Sequence, residues 1–231
     1  MSLPDAPEGA DPQGLWLSQM AHDLRNQLAP MRTATQMMQL GKLDPGRQRE
    51  MLDLLERQIQ RLVSMLDDLA EFGKQRAGLL PERERHDLAI LIDTALGECG
   101  RRIVAAGQRF EQRMPEQRMP LLAERQPLVQ LFIRLLDNAS RFTPEGGLIE
   151  LDVALENGQA EVRVRDSGAG IETERLESIF ELPLKGRSGG GLGISLMLAR
   201  ACAQRHGGTL EARSEGPGHG SEFVLRIPLA A

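Results

Sequence analysis

Two stretches near the N-terminus carry apolar residues at the spacing of amphipathic helices. The first runs over 15–40 and stops at Gly41. Asp44 then supplies a helix N-cap, Pro45 suits the first helical position, and a second periodic run follows over 51–69. These patterns predict an antiparallel helical hairpin.

A hairpin of two amphipathic helices cannot cover both of its apolar stripes by itself. Pairing with a second copy into a four-helix bundle would cover them. Packing of the stripes against the chain's own second domain is the alternative. Pro30, inside the first helix, is expected to kink that helix or to leave one carbonyl without a partner.

The rest of the chain alternates between helical and strand patterns. Helices are predicted near 87–106, 125–142, 173–180 and 192–206, and strands near 108–113, 148–155, 160–166, 209–214 and 221–228. Asn157-Gly158 and the 214–220 segment are hairpin signals. The pattern therefore predicts an α+β fold, in which a mixed sheet covered on one face by helices follows the hairpin.

Composition shifts suggest where these parts begin and end. Pro and Gly residues are dense in 1–13, which predicts a disordered leader, and again from Gly73 to Pro81. We therefore expect a leader at 1–13, the hairpin at 14–75, a linker at 76–86 and the second domain at 87–231.

Charge and composition narrow the function classes. The 231 residues carry a net charge of −5, which argues against a general nucleic-acid binder. No apolar stretch approaches the ~20 residues that span a bilayer, and no signal peptide is recognisable. The two cysteines, Cys99 and Cys202, fit a reducing compartment and are expected to be buried small apolar residues. These features predict a soluble cytoplasmic protein.

Asp166 ends a strand pattern and opens the turn Asp-Ser-Gly-Ala-Gly-Ile. Gly168 and Gly170 would let the backbone turn sharply and approach a flat ligand closely. A buried carboxylate at this place can accept a hydrogen bond from an exocyclic amine, and it would reject a carbonyl there. A plain turn is the alternative reading of these residues.

A second glycine-rich segment, from Gly189 to Gly193, runs into a helical pattern. Amide N–H groups at such a helix N-terminus attract phosphate oxygens. Lys185 and Arg187 lie just before it on a segment expected to be mobile, where they could close over a polyphosphate. A solvated surface loop would show the same composition.

Asn138 lies near the end of a predicted helix, one turn after Arg134 and three residues before Arg141. An amide oxygen and a guanidinium on adjacent turns suit Mg²⁺ and phosphate, respectively. A simple helix cap is the other explanation for the asparagine.

Taken in order along the chain, these segments resemble the motifs of one family, the two-component sensor histidine kinases. The matching segments are the phosphoacceptor box His22–Asn26, the asparagine box Leu136–Pro144, the glycine boxes Asp166–Ile171 and Gly189–Ile194, the phenylalanine box Ile179–Glu181 and the final glycine turn Gly216–Phe223. The resemblance covers about 15–229 and implies a dimerisation and phosphotransfer hairpin followed by a Bergerat-type α/β sandwich that binds ATP.

The resemblance also assigns roles to residues of the ATP site. It implies that Asp166 binds the adenine amino group, that Asn138 is the Mg²⁺ ligand and that Arg141 touches phosphate. The full set of implied ATP-site residues is Asn138, Arg141, Phe142, Asp166, Gly168, Gly170, Lys185, Arg187, Gly189, Gly191, Leu192, Gly193 and Ser221. The family often has a second asparagine where this chain has Arg134, and a cation cannot ligate Mg²⁺.

The resemblance makes His22 the phosphate acceptor, with neutral imidazole as the nucleophile. If Asp23 accepts the Nδ1–H of the ring, Nε2 keeps its lone pair for the γ-phosphorus of ATP. Asn26, one turn further on, could orient a water for a phosphatase reaction. His86, His206 and His219 are expected to be surface or turn residues.

The implied activity is autophosphorylation of His22 by ATP, followed by phosphoryl transfer to an aspartate of a response-regulator receiver domain. The implied partners are a second copy of the chain, that receiver domain, and either a separate sensor protein or a missing upstream sensor domain. Two other functions stay open: a phosphotransfer scaffold with a degenerate ATP site, and a Bergerat ATPase that acts through conformational change.

Overall fold

The computed structural model describes residues 12–41, 44–78, 82–181 and 193–230, with no side-chain description for 12–20 and Asp23. The described residues form two compact units. One consists of the helices between residues 12 and 78, and the other is an α/β unit of residues 82–181 and 195–230. No described helix is long and apolar enough to cross a membrane.

The first unit consists of two helices that pack against each other, as the sequence predicts. Helix α1 spans Pro12–Gln39 and continues through Pro30, and α2 spans Pro45–Arg76. The Asp44 side chain accepts a hydrogen bond from the Arg47 N–H at 3.0 Å, which caps α2 as expected. The last two residues of the expected leader are helical, and the rest of it lies outside the described residues.

Two corrections concern the stretch between the hairpin and the second domain. Helix α2 runs through Gly73, where the glycine and proline pattern suggested a linker. Lys74 and Arg76 lie in its last turn, where positive charge favours the helix dipole. Strand β1 (Glu84–Asp87) then begins inside the segment expected to be a linker. This strand is polar and only four residues long, so periodicity does not detect it.

The α/β unit contains three helices and two sheets among its described residues. Its elements are β1 (Glu84–Asp87), α3 (Leu88–Ala105), β2 (Arg109–Arg113), β3 (Pro120–Ala123), α4 (Arg125–Phe142), β4 (Leu148–Glu156), β5 (Gln159–Asp166), α5 (Ser195–Arg205), β6 (Thr209–Arg213) and β7 (Ser221–Pro228). The main sheet has the strand order β2-β4-β5-β7-β6 and is antiparallel except for the β2–β4 pair. The predicted α+β fold and mixed sheet are therefore confirmed.

Strand β3 was not predicted, and it pairs with β1 in a separate two-stranded sheet. The segment 173–180, predicted to be one helix, instead forms 3₁₀ turns at Thr173–Arg175 and Ser178–Phe180. Phe180 is buried edge-on against Phe223, and the Arg200 guanidinium of α5 lies 4.3 Å from the centre of its ring. The segment keeps local backbone hydrogen bonds of the 3₁₀ type, such as that from the Phe180 N–H to the Glu177 carbonyl at 3.2 Å, and the ring adds tertiary contacts.

One face of the main sheet packs under the helices and forms the core. Its strands alternate between inward apolar and outward polar residues, with Val162 and Val164 of β5 fully buried. Helix α4 covers this face with side chains such as Phe132 and Leu135, which have no exposed surface. Cys99 and Cys202 are buried free thiols, as the sequence predicts. Burial raises the pKa of Cys99 to about 12.

The opposite face of the sheet is covered by a lattice of ion pairs that crosses all five strands. Arg165 of β5 contacts Glu222 of β7 at 2.7 Å, and Arg226 contacts Glu161 at 2.7 Å. The members of the lattice are Glu111, Arg113, Glu150, Asp152, Glu161, Arg163, Arg165, Glu211, Arg213, Glu222 and Arg226. Opposite charges on neighbouring strands therefore satisfy one another along the sheet surface.

His206 lies in the turn after α5, as expected, but its side chain is buried and does not lie on the surface. Its Nε2 accepts the N–H of Glu124 at 3.0 Å, and its Nδ1 donates to the carbonyl of Cys202 at 2.8 Å. The Glu124 carboxylate, buried beside it, pairs with Arg205 at 3.1 Å. This cluster joins the end of α5 to the start of α4.

Candidate functional site

The predicted acceptor, His22, is an exposed side chain on α1. The amide Nδ2 of Asn26 lies 3.1 Å from the His22 Nδ1. The contact follows from the helix, because residues four apart share one face. Asp23 belongs to the same helix, but its side chain is outside the described part. Of the three predicted catalytic residues, the structure thus brings His22 and Asn26 together.

A second group of predicted residues lies where α4 ends. Arg141 and Phe142 are exposed there, and the Arg141 guanidinium lies 5.3 Å from the centre of the Phe142 ring. Asn138 is half-buried one turn earlier, whereas Arg134 is only 7% exposed. Thr143 ends the helix, because both its N–H and its hydroxyl donate to the Ala139 carbonyl.

Asp166 is buried at the end of β5, and each of its carboxylate oxygens accepts a hydrogen bond. The N–H of Gly168 donates to Oδ1 at 2.9 Å, and the Ser221 hydroxyl donates to Oδ2 at 2.5 Å. Ser221 faces Asp166 because the two residues are directly paired between β5 and β7. A carboxylate can accept about four hydrogen bonds, so Asp166 keeps capacity for a ligand amine.

The charge state of Asp166 reflects a balance between burial and hydrogen bonding. Burial raises the pKa of its carboxyl group above the ordinary value, and the bonds from Ser221 and Gly168 oppose that rise. The protein therefore holds a poorly solvated acceptor in a fixed orientation. Such an acceptor discriminates between an amine and a carbonyl, since facing a second acceptor would be unfavourable.

The glycine turn after Asp166 is attached directly to the end of α4. The Ala169 N–H donates to the Phe142 carbonyl at 3.1 Å, and a Cβ on Gly168 would lie 2.2 Å from that same oxygen. No side chain can therefore replace the hydrogen of Gly168 without separating the two segments. The contact brings the predicted adenine residue and the predicted phosphate and metal residues onto one framework.

The turn before β7 packs equally closely on the same framework. Gly220 has φ +70°, and a Cβ there would lie 1.9 Å from the Asp166 carbonyl oxygen. Gly170 has φ +71°, and its Cβ would lie 2.1 Å from the Gly216 carbonyl oxygen. Hydrogen bonds from Gly218 to Ala169, at 2.7 Å, and from Gly220 to Gly168 hold the turns together.

Two supporting residues were missed at the sequence level. The Gln108 amide donates to the carbonyls of Ser140 and Thr143, at 2.7 and 2.6 Å, and so fixes the end of α4. The Ser214 hydroxyl accepts the Ile171 N–H and donates to the Gly220 carbonyl at 2.6 Å. Gln108 and Ser214 hydrogen-bond to backbone groups that lie more than thirty residues away along the chain, and Ser214 also bridges a turn. No local sequence pattern therefore identifies them.

Part of the predicted ATP site lies outside the described residues, namely Lys185, Arg187, Gly189, Gly191 and Leu192. Gly193, which is described, has φ +71°, a conformation that favours glycine. Across residues 12–41, 44–78, 82–181 and 193–230, no group of three or more His, Cys, Asp or Glu side chains could hold a metal ion. Asn138 offers an amide oxygen, a group that can ligate Mg²⁺.

Comparisons with known proteins find a matching protein family for each of the two units. A family model for the His Kinase A (phospho-acceptor) domain matches residues 13–78. A second model, for the histidine kinase-, DNA gyrase B- and HSP90-like ATPases, matches residues 123–231. The chain belongs to the histidine kinases. It has the parts of a two-component transmitter core, and its second half is a domain of the ATPase family.

Curated relatives of this histidine kinase are similar along most of its length. The adaptive-response sensory kinase SasA of Synechococcus sp. (strain CC9311) is 30% identical over 218 residues, which are 92% of this chain and 56% of SasA. The alginate biosynthesis sensor protein KinB of Pseudomonas aeruginosa is 27% identical over 219 residues, 90% of this chain and 36% of KinB. The chain thus spans about half or less of the relatives' length.

Solved structures share the fold. The solved chain of the mycobacterial sensor histidine kinase MprB is 25% identical with a TM-score of 0.57, and the match covers 64% of this chain and 97% of that solved chain. The solved chain of histidine kinase ThkA, in complex with the response regulator protein TrrA, is 23% identical with a TM-score of 0.70, and the match covers 93% of this chain and 61% of that solved chain.

Proposed function

We propose that this chain autophosphorylates His22 with ATP and passes the phosphoryl group to an aspartate of a response-regulator receiver domain. The observation that carries the proposal is the direct bond between the Asp166 turn and the Phe142 carbonyl. It holds an amine acceptor and a metal- and phosphate-type cluster on one rigid framework, which is what recognition of a purine triphosphate needs.

In the proposed mechanism each side chain has a separate task. Asp166 accepts the adenine amino group, and Arg141 binds phosphate oxygens. Asn138 would hold Mg²⁺, which neutralises charge on the phosphates when it is bound. The neutral ring of His22 attacks the γ-phosphorus through Nε2, and ADP leaves with the electron pair of the broken P–O bond. We assign the glycine-rich and basic residues from Lys185 to Gly193 to the triphosphate.

The partners belong to the same proposal. Helix α2 exposes an apolar stripe made of Leu52, Ile59, Val63 and Leu66. The spacing of these residues puts them on one face, which suits a homodimer formed through the hairpin. A receiver domain would dock on the hairpin that carries His22, and Asn26 would orient a water if the kinase also acts as a phosphatase. Because ATP is the substrate, the proposal puts these units in the cytoplasm.

Labelling with γ-³²P-ATP and Mg²⁺ tests the proposal. We expect an acid-labile, alkali-stable label on the wild type and none on His22→Gln, followed by loss of the label to an added receiver domain. A matched control is His219→Gln, since His219 is an exposed histidine of a turn in the α/β unit. Absence of label from the wild type would support a scaffold, and steady ATP hydrolysis unaffected by His22→Gln would support a conformational ATPase.

A further inference from the structure

Helix α4 ends just before a proline, which leaves one of its last carbonyls without a helical donor. In a continuing α-helix the Ser140 carbonyl would accept the N–H of residue 144, but Pro144 has no N–H. The backbone leaves the helical conformation at Thr143, with φ −88° and ψ 127°. A helix end with unfilled carbonyls frays unless other groups donate to it. The position of this end also sets where the Asn138 and Arg141 side chains lie.

The side chain of Gln108 supplies the missing donors. Its Nε2 donates one hydrogen bond to the Ser140 carbonyl at 2.7 Å and another to the Thr143 carbonyl at 2.6 Å. Its Oε1 accepts the Ser140 hydroxyl at 2.8 Å. Both N–H groups of the amide are used, and a flipped amide would place its oxygen against two carbonyl oxygens. The amide therefore has the orientation that anchoring of the helix end requires.

Gln108 is itself held firmly in place. Its side chain is buried, and it lies immediately before β2. On one side of it, the Gly146 N–H donates to the Gly107 carbonyl at 2.9 Å, and on the other side the Arg109 N–H donates to the Gly147 carbonyl at 2.8 Å. These backbone bonds join Gln108 to the turn that follows α4, so the amide cannot easily move away from the helix end.

The end of α4 is thus anchored at two separate places on the main sheet. The Ala169 N–H ties the Phe142 carbonyl to the Asp166 turn, which follows β5. Gln108 holds the same helix end from a position before β2, and β2 lies two strands away from β5 in the sheet. The two hydrogen bonds to the Asp166 carboxylate do not involve Gln108. Loss of Gln108 would therefore loosen the end of α4 and leave Asp166 in place.

We infer that Gln108 is a positioning residue for the phosphate-binding end of the nucleotide site. This inference rests on the proposed binding of ATP through Asp166, Asn138 and Arg141. Because Gln108 is buried, it acts by fixing the helix end from which Asn138 and Arg141 project. Its removal should weaken binding of the triphosphate and spare binding of the adenine, since only the first depends on where α4 ends.

Two substitutions of Gln108 test this inference. Gln108→Met has a similar volume but donates to neither carbonyl, and Gln108→Asn keeps an amide on a side chain that is one methylene shorter. Ser140→Ala is the matched control, because it removes the hydroxyl bond to the Gln108 Oε1 and leaves both carbonyl bonds. Circular dichroism checks that each variant is folded. If Gln108→Met does not fold, Gln108→Asn alone decides the outcome.

Calorimetric titration with ATP and Mg²⁺, and separately with adenosine, measures the two parts of the site. ATP affinity should fall about tenfold in Gln108→Met and by a smaller factor in Gln108→Asn, since small displacements of binding groups weaken binding steeply. Adenosine affinity should stay at the wild-type value in both variants. Ser140→Ala should match the wild type for both ligands. Equal losses for ATP and adenosine, or no loss for either, would overturn the inference.

Hydrogen exchange of the backbone over 138–147 provides a readout that needs no nucleotide. Exchange at the end of α4 should be faster in Gln108→Met and unchanged in Ser140→Ala, because only the first variant loses the bonds to the two carbonyls. Unchanged exchange in Gln108→Met would also contradict the inference. If the wild type binds ATP no more tightly than adenosine, the proposed function is wrong, and hydrogen exchange then decides whether Gln108 anchors the helix end.

Discussion

Asp166 is a residue whose placement costs folding free energy. Burial raises the pKa of its carboxyl group, so the folded state holds the proton more tightly than the unfolded state does. The resulting stabilisation exists below about pH 3.8, the ordinary value, and is lost as the pH rises through the raised pKa. At neutral pH the protein therefore keeps an ionised, poorly solvated group that an amine ligand can use.

We expect Asp166→Asn to stabilise the nucleotide-free protein at pH 7.5 by roughly 0.5–2 kcal/mol, because no charge is then buried. The Asn oxygen can accept the Gly168 N–H, and its NH₂ group can donate to the Ser221 hydroxyl, which then acts as the acceptor. The same change should abolish binding of a fluorescent ATP analogue. Urea denaturation and fluorescence titration measure the two effects. Asp93→Asn, on the exposed side of α3, is the control. A variant less stable than the wild type would contradict this account.

His206 has the opposite pH dependence. Burial lowers its pKa, while hydrogen bonding to Cys202 and the nearby Glu124 carboxylate oppose that change and Arg83 and Arg205 reinforce it. As the pH falls, the unfolded chain takes up a proton before the folded chain does. The contribution of His206 to the free energy of unfolding is therefore complete above about pH 6.5, and it declines as the pH drops toward the lowered pKa.

His206→Leu should lower the free energy of unfolding by about 1–3 kcal/mol at pH 7.5, since the Glu124 N–H loses the imidazole acceptor and the Cys202 carbonyl keeps only the backbone N–H of residue 206. The difference from the wild type should shrink at pH 5.5, where the wild type has lost part of its stability. Urea denaturation at both pH values measures this. The control is again His219→Gln, and an unchanged difference between the two pH values would refute the prediction.

At the scale of elements, the periodic pattern predicts most helices and strands closely. Helix α4 and strand β7 have the predicted bounds. The failures share a cause, because β1, β3 and the turns near Phe180 are short and depend on contacts far along the chain. Likewise, the glycines of the site could be recognised from sequence, but the Phe142 carbonyl that they contact could not.

Gly220 shows what those close contacts require of the turn before β7. Gly220→Ala should destabilise the protein by about 3 kcal/mol or more and weaken ATP binding, because its Cβ would collide with the Asp166 carbonyl. Gly158→Ala has a similar positive φ but open space around the Cβ, so it should cost only about 1–2 kcal/mol. Thermal denaturation compares the two. Equal losses would mean that backbone conformation, and not the contact, sets the requirement.

At the scale of the whole molecule, the two units differ in how much of their apolar surface they bury. The α/β unit encloses its own core, whereas α2 leaves Leu52, Ile59, Val63 and Leu66 about half exposed. The sequence predicts this difference, since the hairpin pattern contains two apolar stripes for one interface. The sequence does not identify the residues around α4 and β5 that support the proposed ATP site, because their hydrogen bonds join distant segments of the chain.

Ile59→Asp combined with Val63→Asp should convert the proposed dimer to a monomer, since two charges from each subunit would be buried in the interface. Sedimentation equilibrium measures the mass, and circular dichroism of the α/β unit checks that it stays folded. Ser64→Asp is the control, because Ser64 is exposed on another face of α2. A dimer that survives the double substitution would move the interface elsewhere.

The ion-pair lattice on the sheet has a consequence for such a dimer. Tethering two α/β units to one stalk confines them at an effective concentration on the order of millimolar. An apolar sheet surface would then favour association between the two α/β units of the dimer. In this protein the face carries ion pairs such as Arg165–Glu222, which neutralise one another within each α/β unit. Association through this face would therefore cost the free energy of desolvating these ion pairs. The ion-pair lattice therefore disfavours association of the two α/β units through this face of the sheet.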